Sequence, residues 1–124
     1  MAKFLTQGWI DDLVAALSGD DSLRGISFDL QQVVTGTPDG SIDYWLSFDA
    51  GEVRGGLGGC PNDPDVTITQ DLQTAVALSR QELNPQGAFM QGKLKVTGNM
   101  GKLLQNQEAL GALSSAMASV DTEH

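Results

Sequence analysis

The sequence predicts an α+β domain, and two observations carry that expectation. Apolar residues recur at helical spacing near the start of the chain and again from Met100 onward. Between them, apolar and polar residues alternate strictly in several short runs, the first three joined only by turn-like sequences. The 124 residues fit one domain, 1–124, large enough to bury roughly two thirds of its unfolded surface.

Residues 4–17, FLTQGWIDDLVAAL, place Ile10, Leu13, Val14 and Leu17 on one helical face, and Gly19 before Asp20 and Asp21 ends the helix. From Ile26 the period becomes two. Ile26, Phe28, Leu30 and Val34 point one way, with Ser27, Asp29 and Gln31 opposite. Thr37–Gly40, TPDG, supplies a turn: Pro38 fixes φ and Gly40 accepts a positive one. A second strand follows, with Ile42, Tyr44, Leu46 and Phe48 inward and Asp43, Trp45, Ser47 and Asp49 outward. A three-residue loop of Pro38, Asp39 and Gly40 would set Thr37 opposite Ser41 and Val33 opposite Trp45. The third strand returns through Val53 to Leu57. A two-residue turn at Ala50-Gly51 puts Trp45 across from Gly56, so the indole would cover a glycine.

GGLGGCPNDPD reads as a loop, without the glycine spacing of a phosphate cradle. DVTITQ alternates again, with Val66 and Ile68 inward. A helix is then expected over DLQTAVALSRQELNP, with Asp71 as N-cap, Leu72, Ala75, Val76, Ser79 and Leu83 on one face, and Asn84-Pro85 as its end. AFMQGKLKVTG reads as a fifth strand. Ala88, Met90, Gly92, Leu94 and Val96 share one face; Phe89, Gln91, Lys93, Lys95 and Thr97 share the other. Gly98-Asn99 turns the chain, and Asn99 caps a last helix bearing Leu103, Leu104, Leu110, Leu113, Met117 and Val120.

Charge and composition narrow the function classes. A net charge of −9 argues against nucleic acid, which needs clustered Lys and Arg, and against strong attraction to anionic membranes. Three of the seven basic residues, Lys93, Lys95 and Lys102, fall in one short segment. Lysines on the solvated face of an edge strand block unwanted pairing; as a headgroup patch they would give only a weak, transient and salt-sensitive membrane contact. Cys60 is the only cysteine, so no intrachain disulfide forms, which fits a reducing cytoplasm. The only histidine is His124, the Asp residues near the loop lack calcium-loop spacing, and Asp11-Asp12 reads as a solvated pair. No catalytic residue, metal site or cofactor is therefore expected. MAKFLTQGWIDD does not read as a secretory signal, nor DTEH as a lipidation signal or compartment address.

DVTIT, a helix, and then LNPQGAFMQGKLKVTGNMGKLL closely resemble the signature of the sterol-carrier-protein-two family of small lipid-binding domains. WLSFDAGEV, Trp45 to Val53, is similar to that family's second strand and turn. The resemblance runs from about residue 9 to 117 and is most specific over 65–104; RGGLGGC is less typical of it. It implies a five-stranded sheet covered on one face by helices, with an apolar tunnel between. It also implies binding of fatty acids, acyl-CoA, sterols or related lipids without chemistry on them. The residues expected to line such a tunnel are Leu72, Val76, Met90, Leu94, Val96, Met100, Leu103, Leu104, Leu110, Leu113 and Met117. A protein-interaction or dimerisation module with a filled core is the alternative, with Val33 and Trp45 as its outer apolar patch. Either a monomer or a weak homodimer suits these expectations.

Overall fold

Thr6 starts the first helix: its side chain accepts a hydrogen bond from the Trp9 backbone N–H, 3.3 Å away. In the computed structural model, which describes residues 2–123, the elements run as follows. Strand β1 is Ala2–Lys3, helix α1 Gln7–Ser18, β2 Ser27–Thr37, β3 Gly40–Asp49, β4 Glu52–Leu57 and β5 Val66–Asp71. Helices α2 (Leu72–Ser79) and α3 (Pro85–Met90), strand β6 (Lys95–Gly98), helices α4 (Met100–Gln105) and α5 (Gln107–Ser119), and strand β7 (Thr122–Glu123) complete the chain.

Five strands form one mixed sheet in the order β4-β3-β2-β5-β6, and β1 pairs with β7 separately. Only the central β2–β5 pair in the large sheet is parallel. Helices cover one face: α1 lies on β4, α2 on β2 and β5, and α5 against α1 and α2. The core between the layers holds Trp9, Ile10, Leu13 and Leu17 of α1, and Phe28, Leu30, Tyr44, Leu46, Phe48 and Val66 of the sheet. Apart from Trp9, which the helical stripe did not include, these belong to the inward sets read from the two periodicities; Val14 of that stripe is only partly buried.

Trp45 stands opposite Gly56, with its Nε1 3.1 Å from where a Cβ of Gly56 would lie. The other predicted partner of Trp45 is wrong. Val33 pairs with Asp43, and Trp45 with Gln31. Two one-residue changes add: the turn is shorter, so Thr37 pairs with Gly40 and not Ser41, and an irregularity between Val34 and Thr37, near Gly36 at φ 73°, shifts the register once more. Val33 and Trp45 keep the same face but sit diagonally, so they do not make the directly opposed pair proposed as an outer patch.

Four element boundaries also differ from the sequence reading. Residues 4–6 precede α1, because the Thr6 cap fixes its start. Helix α2 ends at Ser79, not at Asn84-Pro85. Asn84 instead begins α3: its Oδ1 accepts from Gln86 N at 2.8 Å and Gly87 N at 3.3 Å, and Pro85 occupies the first turn. Residues 88–90 are therefore helical, and the fifth strand contracts to Lys95–Gly98. Last, the C-terminal helix is two helices. Asn106 leaves the helical region at φ −116°, ψ 32°, and its side chain donates to the Lys102 carbonyl at 2.8 Å.

Candidate functional site

A cavity of about 830 Å³ lies between the inward sheet face and helices α2 to α5. Its floor comes from β2, β3 and β5, whose alternation aims Gln32, Tyr44, Ile68 and Gln70 to the helix side. Ala75 and Leu78 of α2 form one wall; Leu103, Leu110, Leu113 and Met117 of α4 and α5 form another. Leu94 and Val96 close the side at β6. The rim is apolar but exposed: Phe89 and Met90 of α3 and Met100 and Leu104 of α4 all line the cavity, with Leu104 64% and Met90 85% accessible.

Nine of the eleven sequence-predicted lining residues surround this one cavity: Met90, Leu94, Val96, Met100, Leu103, Leu104, Leu110, Leu113 and Met117. Leu72 and Val76 do not. They line a separate hollow with Gly36, Arg80 and Glu82. At about 100° per residue, Val76 lies roughly 160° around α2 from Leu78, which does reach the cavity. The stripe 72, 75, 76, 79 is wide enough that its two flanks meet different surroundings.

No Asp, Glu, Lys, Arg, His or Cys is among the described residues lining the cavity. Its polar groups are neutral. On the floor, Gln70 Nε2 donates to Gln32 Oε1 at 2.9 Å, and both side chains are buried. Tyr44 faces Gln32 across the β2–β3 ladder, and burial pushes its phenol far above the ordinary value, so it stays protonated. Asn84, Gln86, Gln107, Ser114 and Ser115 are the other polar lining residues.

The site thus joins mostly apolar walls, open at the rim, to a small neutral polar floor, within a five-stranded α+β frame. A family model described as the SCP-2 sterol transfer family matches residues 2–111. The chain belongs to that family. The human protein named sterol carrier protein 2 is 45% identical to this SCP-2 chain over 74 residues, covering 56% of the chain and 13% of the human protein. The match is thus to a minor part of a much longer relative. A crystal structure of sterol carrier protein 2 superposes with a TM-score of 0.82 at 20% identity, covering 96% of this chain and 100% of that one. The solution structure of palmitated SCP2L2 from Aedes aegypti superposes with a TM-score of 0.62 at 21% identity, covering 94% and 95%. At these identities the two structures establish the shared SCP-2 fold.

Sequence reasoning missed the two glutamines of the floor. Gln32 interrupts the inward series Phe28, Leu30, Val34, and Gln70 continues the inward series Val66, Ile68. A glutamine at an inward position of an alternating strand was the available signal. Phe89 was assigned to the outer face of a strand; in α3 it and Met90 are neighbours on a helix, and both reach the rim. Cys60 does not line the cavity. Cys60 is held by its own backbone N–H, which donates to Gln31 Oε1 at 2.7 Å, and burial pushes its thiol up, away from a reactive thiolate. His124 lies outside the described residues.

Proposed function

We propose that this chain binds a lipid in the cavity, a fatty acid, acyl-CoA, sterol or similar molecule, and carries it without chemical change. The observation that carries this reading is an apolar cavity of about 830 Å³ with no charged side chain in its described lining. That volume is in the usual range for small-molecule sites, and such sites are mostly apolar with few polar groups. Each buried methylene of an acyl chain contributes about 0.8 kcal/mol, so ten supply about 8 kcal/mol before the cost of association, and a longer chain offsets more of that cost. Among the described residues the lining offers none suited to proton transfer near neutral pH, since the one acidic group among them, the Tyr44 phenol, is pushed up by burial. Palmitate in the Aedes aegypti relative supports the acyl-chain class.

The exposed rim residues Phe89, Met90, Met100 and Leu104 give the lipid an apolar path and a point of transient contact with a bilayer surface. With a net charge of −9 that contact is weak on anionic membranes. The protein acts as a monomer or weak dimer in the cytoplasm. A filled-core interaction module is the less favoured reading, because its outer pair, Val33 and Trp45, is not directly opposed and its core would have no such open volume.

Native mass spectrometry of freshly purified protein, followed by extraction under denaturing conditions, tests the proposal. A non-covalent adduct of lipid mass is expected. Protein that stays unliganded after incubation with hexadecanoate, hexadecanoyl-CoA and a sterol would overturn it.

A further inference from the structure

The Gln32–Gln70 pair on the cavity floor is the strongest unassigned feature of the molecule. The two amides make one hydrogen bond to each other, Gln70 Nε2 to Gln32 Oε1 at 2.9 Å. Gln70 Oε1 is fully buried and has no partner among the described residues. Gln70 as a whole is 6% exposed and Gln32 4%. Most buried side-chain oxygens in native proteins are satisfied, so this one implies a partner that arrives with a ligand or water. Gln32 accepts in that bond, so its amide N–H groups remain to be donated. The pair therefore offers one donor and, once the Gln70 amide turns toward the cavity, one acceptor, on a floor shared with Ile68 and Tyr44. Reversing both amides exchanges the two roles but leaves the same offer.

Resting on the lipid-binding reading, we infer that the Gln32–Gln70 pair is a recognition site for an uncharged hydroxyl at the inserted end of a long apolar ligand. A hydroxyl oxygen both donates and accepts, so one atom satisfies Gln70 and Gln32 together. An ether or ester accepts only. An ionised carboxylate also accepts only, and it would be buried with no cation in the lining to compensate its lost hydration. The Tyr44 phenol on the same floor stays neutral, so it adds an O–H but no positive charge to compensate a buried carboxylate. The ligand enters polar end first, and its apolar body lies against Leu103, Leu110, Leu113 and Met117, with the rim beyond. A carboxylate or CoA group is accommodated only at the exposed rim, so charged lipids bind in the opposite sense.

The test compares 1-hexadecanol, its methyl ether and hexadecanoate by competition for a fluorescent fatty-acid probe. The expected result is that the alcohol binds about three- to tenfold more tightly than the ether, the gain typical of one net hydrogen bond. In Gln32→Leu/Gln70→Leu, which removes both partners and leaves neither amide orphaned, that ratio falls to about one while the ether still binds. Equal binding of alcohol and ether to the unaltered protein would overturn the inference and leave the lipid-binding reading standing, with water as the partner of Gln70. Persistence of the ratio in the double variant would move the hydroxyl elsewhere in the cavity and also overturn it. Failure of all three ligands to bind would remove both readings.

Discussion

Lys102 Nζ lies 3.0 Å from Asp65 Oδ1, joining the first turns of α4 to the residue that precedes β5. The other carboxylate oxygen of Asp65 accepts from the Asp29 backbone N–H at 2.7 Å, and the Asp65 carbonyl accepts from Asn99 N at 2.8 Å. One residue thus ties together β2, β5 and the helix whose leucines line the cavity. Of the three clustered lysines, Lys102 serves this tie, while Lys95 lies exposed on edge strand β6. Replacing Asp65 and Lys102 should therefore differ in effect. Lys102→Met is expected to cost about 1 kcal/mol or less, as for a half-exposed ion pair. Asp65→Ala should cost about 2 kcal/mol, because it also strands the Asp29 N–H and leaves Lys102 unpaired. Urea unfolding of both variants checks the order; equal midpoints would show that the carboxylate does no more than pair Lys102.

Two glycines should respond in opposite directions. Gly98 adopts φ 112°, and a Cβ there would lie 2.5 Å from the Asp65 carbonyl oxygen. A backbone atom cannot step aside as a side chain can, so Gly98→Ala is expected to cost about 3 kcal/mol through strain and clash. Gly111, within α5, has open space around its Cβ position. Gly111→Ala should stabilise the protein by about 0.5–1 kcal/mol through helix propensity. Thermal unfolding resolves both, and a destabilising Gly111→Ala would contradict the position given to α5.

Asp71 accepts from the Thr74 backbone N–H at 2.7 Å and caps α2. The hydrogen bonds from Thr74 hold its carboxyl below the ordinary value. A folded-state value below the unfolded one, about 3.9, stabilises the fold when the carboxylate is charged in both states. That contribution is complete above the unfolded value and fades as pH falls through the folded one. Asp71→Ala should cost about 1 kcal/mol at pH 7, and the difference from the unaltered protein should shrink below about pH 4. A difference independent of pH across that range would mean that the charge plays no part in the cap.

How far the sequence disclosed this site depended on what kind of signal each residue gave. Period-two alternation disclosed Tyr44, Ile68 and Val96 as inward residues, because a strand has only two faces. It also disclosed Trp45 over Gly56, since a two-residue turn leaves one register. Asn84-Pro85 was ambiguous: the same dipeptide closes one helix or opens the next, and only the bonds from Gln86 and Gly87 decide between them. The break at Asn106 was hidden because apolar residues continue at helical spacing on both sides of it. Leu72 and Val76 were misplaced because a helical stripe specifies a face, not which of two neighbouring spaces that face meets.

Trp9 should report occupancy of the cavity without touching the ligand. It is fully buried and contacts two lining residues edge-on, Phe4 at 4.8 Å and Tyr44 at 5.5 Å between ring centroids. Trp45, on the other sheet face, would mask the change. In a Trp45→Phe background, titration with hexadecanoate is expected to shift or quench the emission of Trp9 saturably. A change that grows linearly without saturation would indicate nonspecific association.

Leu104 tests whether the rim is the entrance. It lines the cavity from α4, yet 64% of it is accessible, so a larger side chain there need not displace the core. Leu104→Trp would place an indole across the mouth and exclude part of an acyl chain. Losing two methylenes from the cavity removes about 1.6 kcal/mol, which weakens binding of hexadecanoate roughly tenfold. Stability should change by less than about 0.5 kcal/mol, as for most surface positions. Leu57→Trp is the matched control, since Leu57 is comparably exposed at 46% but does not line the cavity. Calorimetric affinities for the two variants separate the cases: a tenfold loss at 104 alone makes α4 part of the entrance, whereas equal affinities would move the entrance away from Leu104 and leave α3 as the side to probe next.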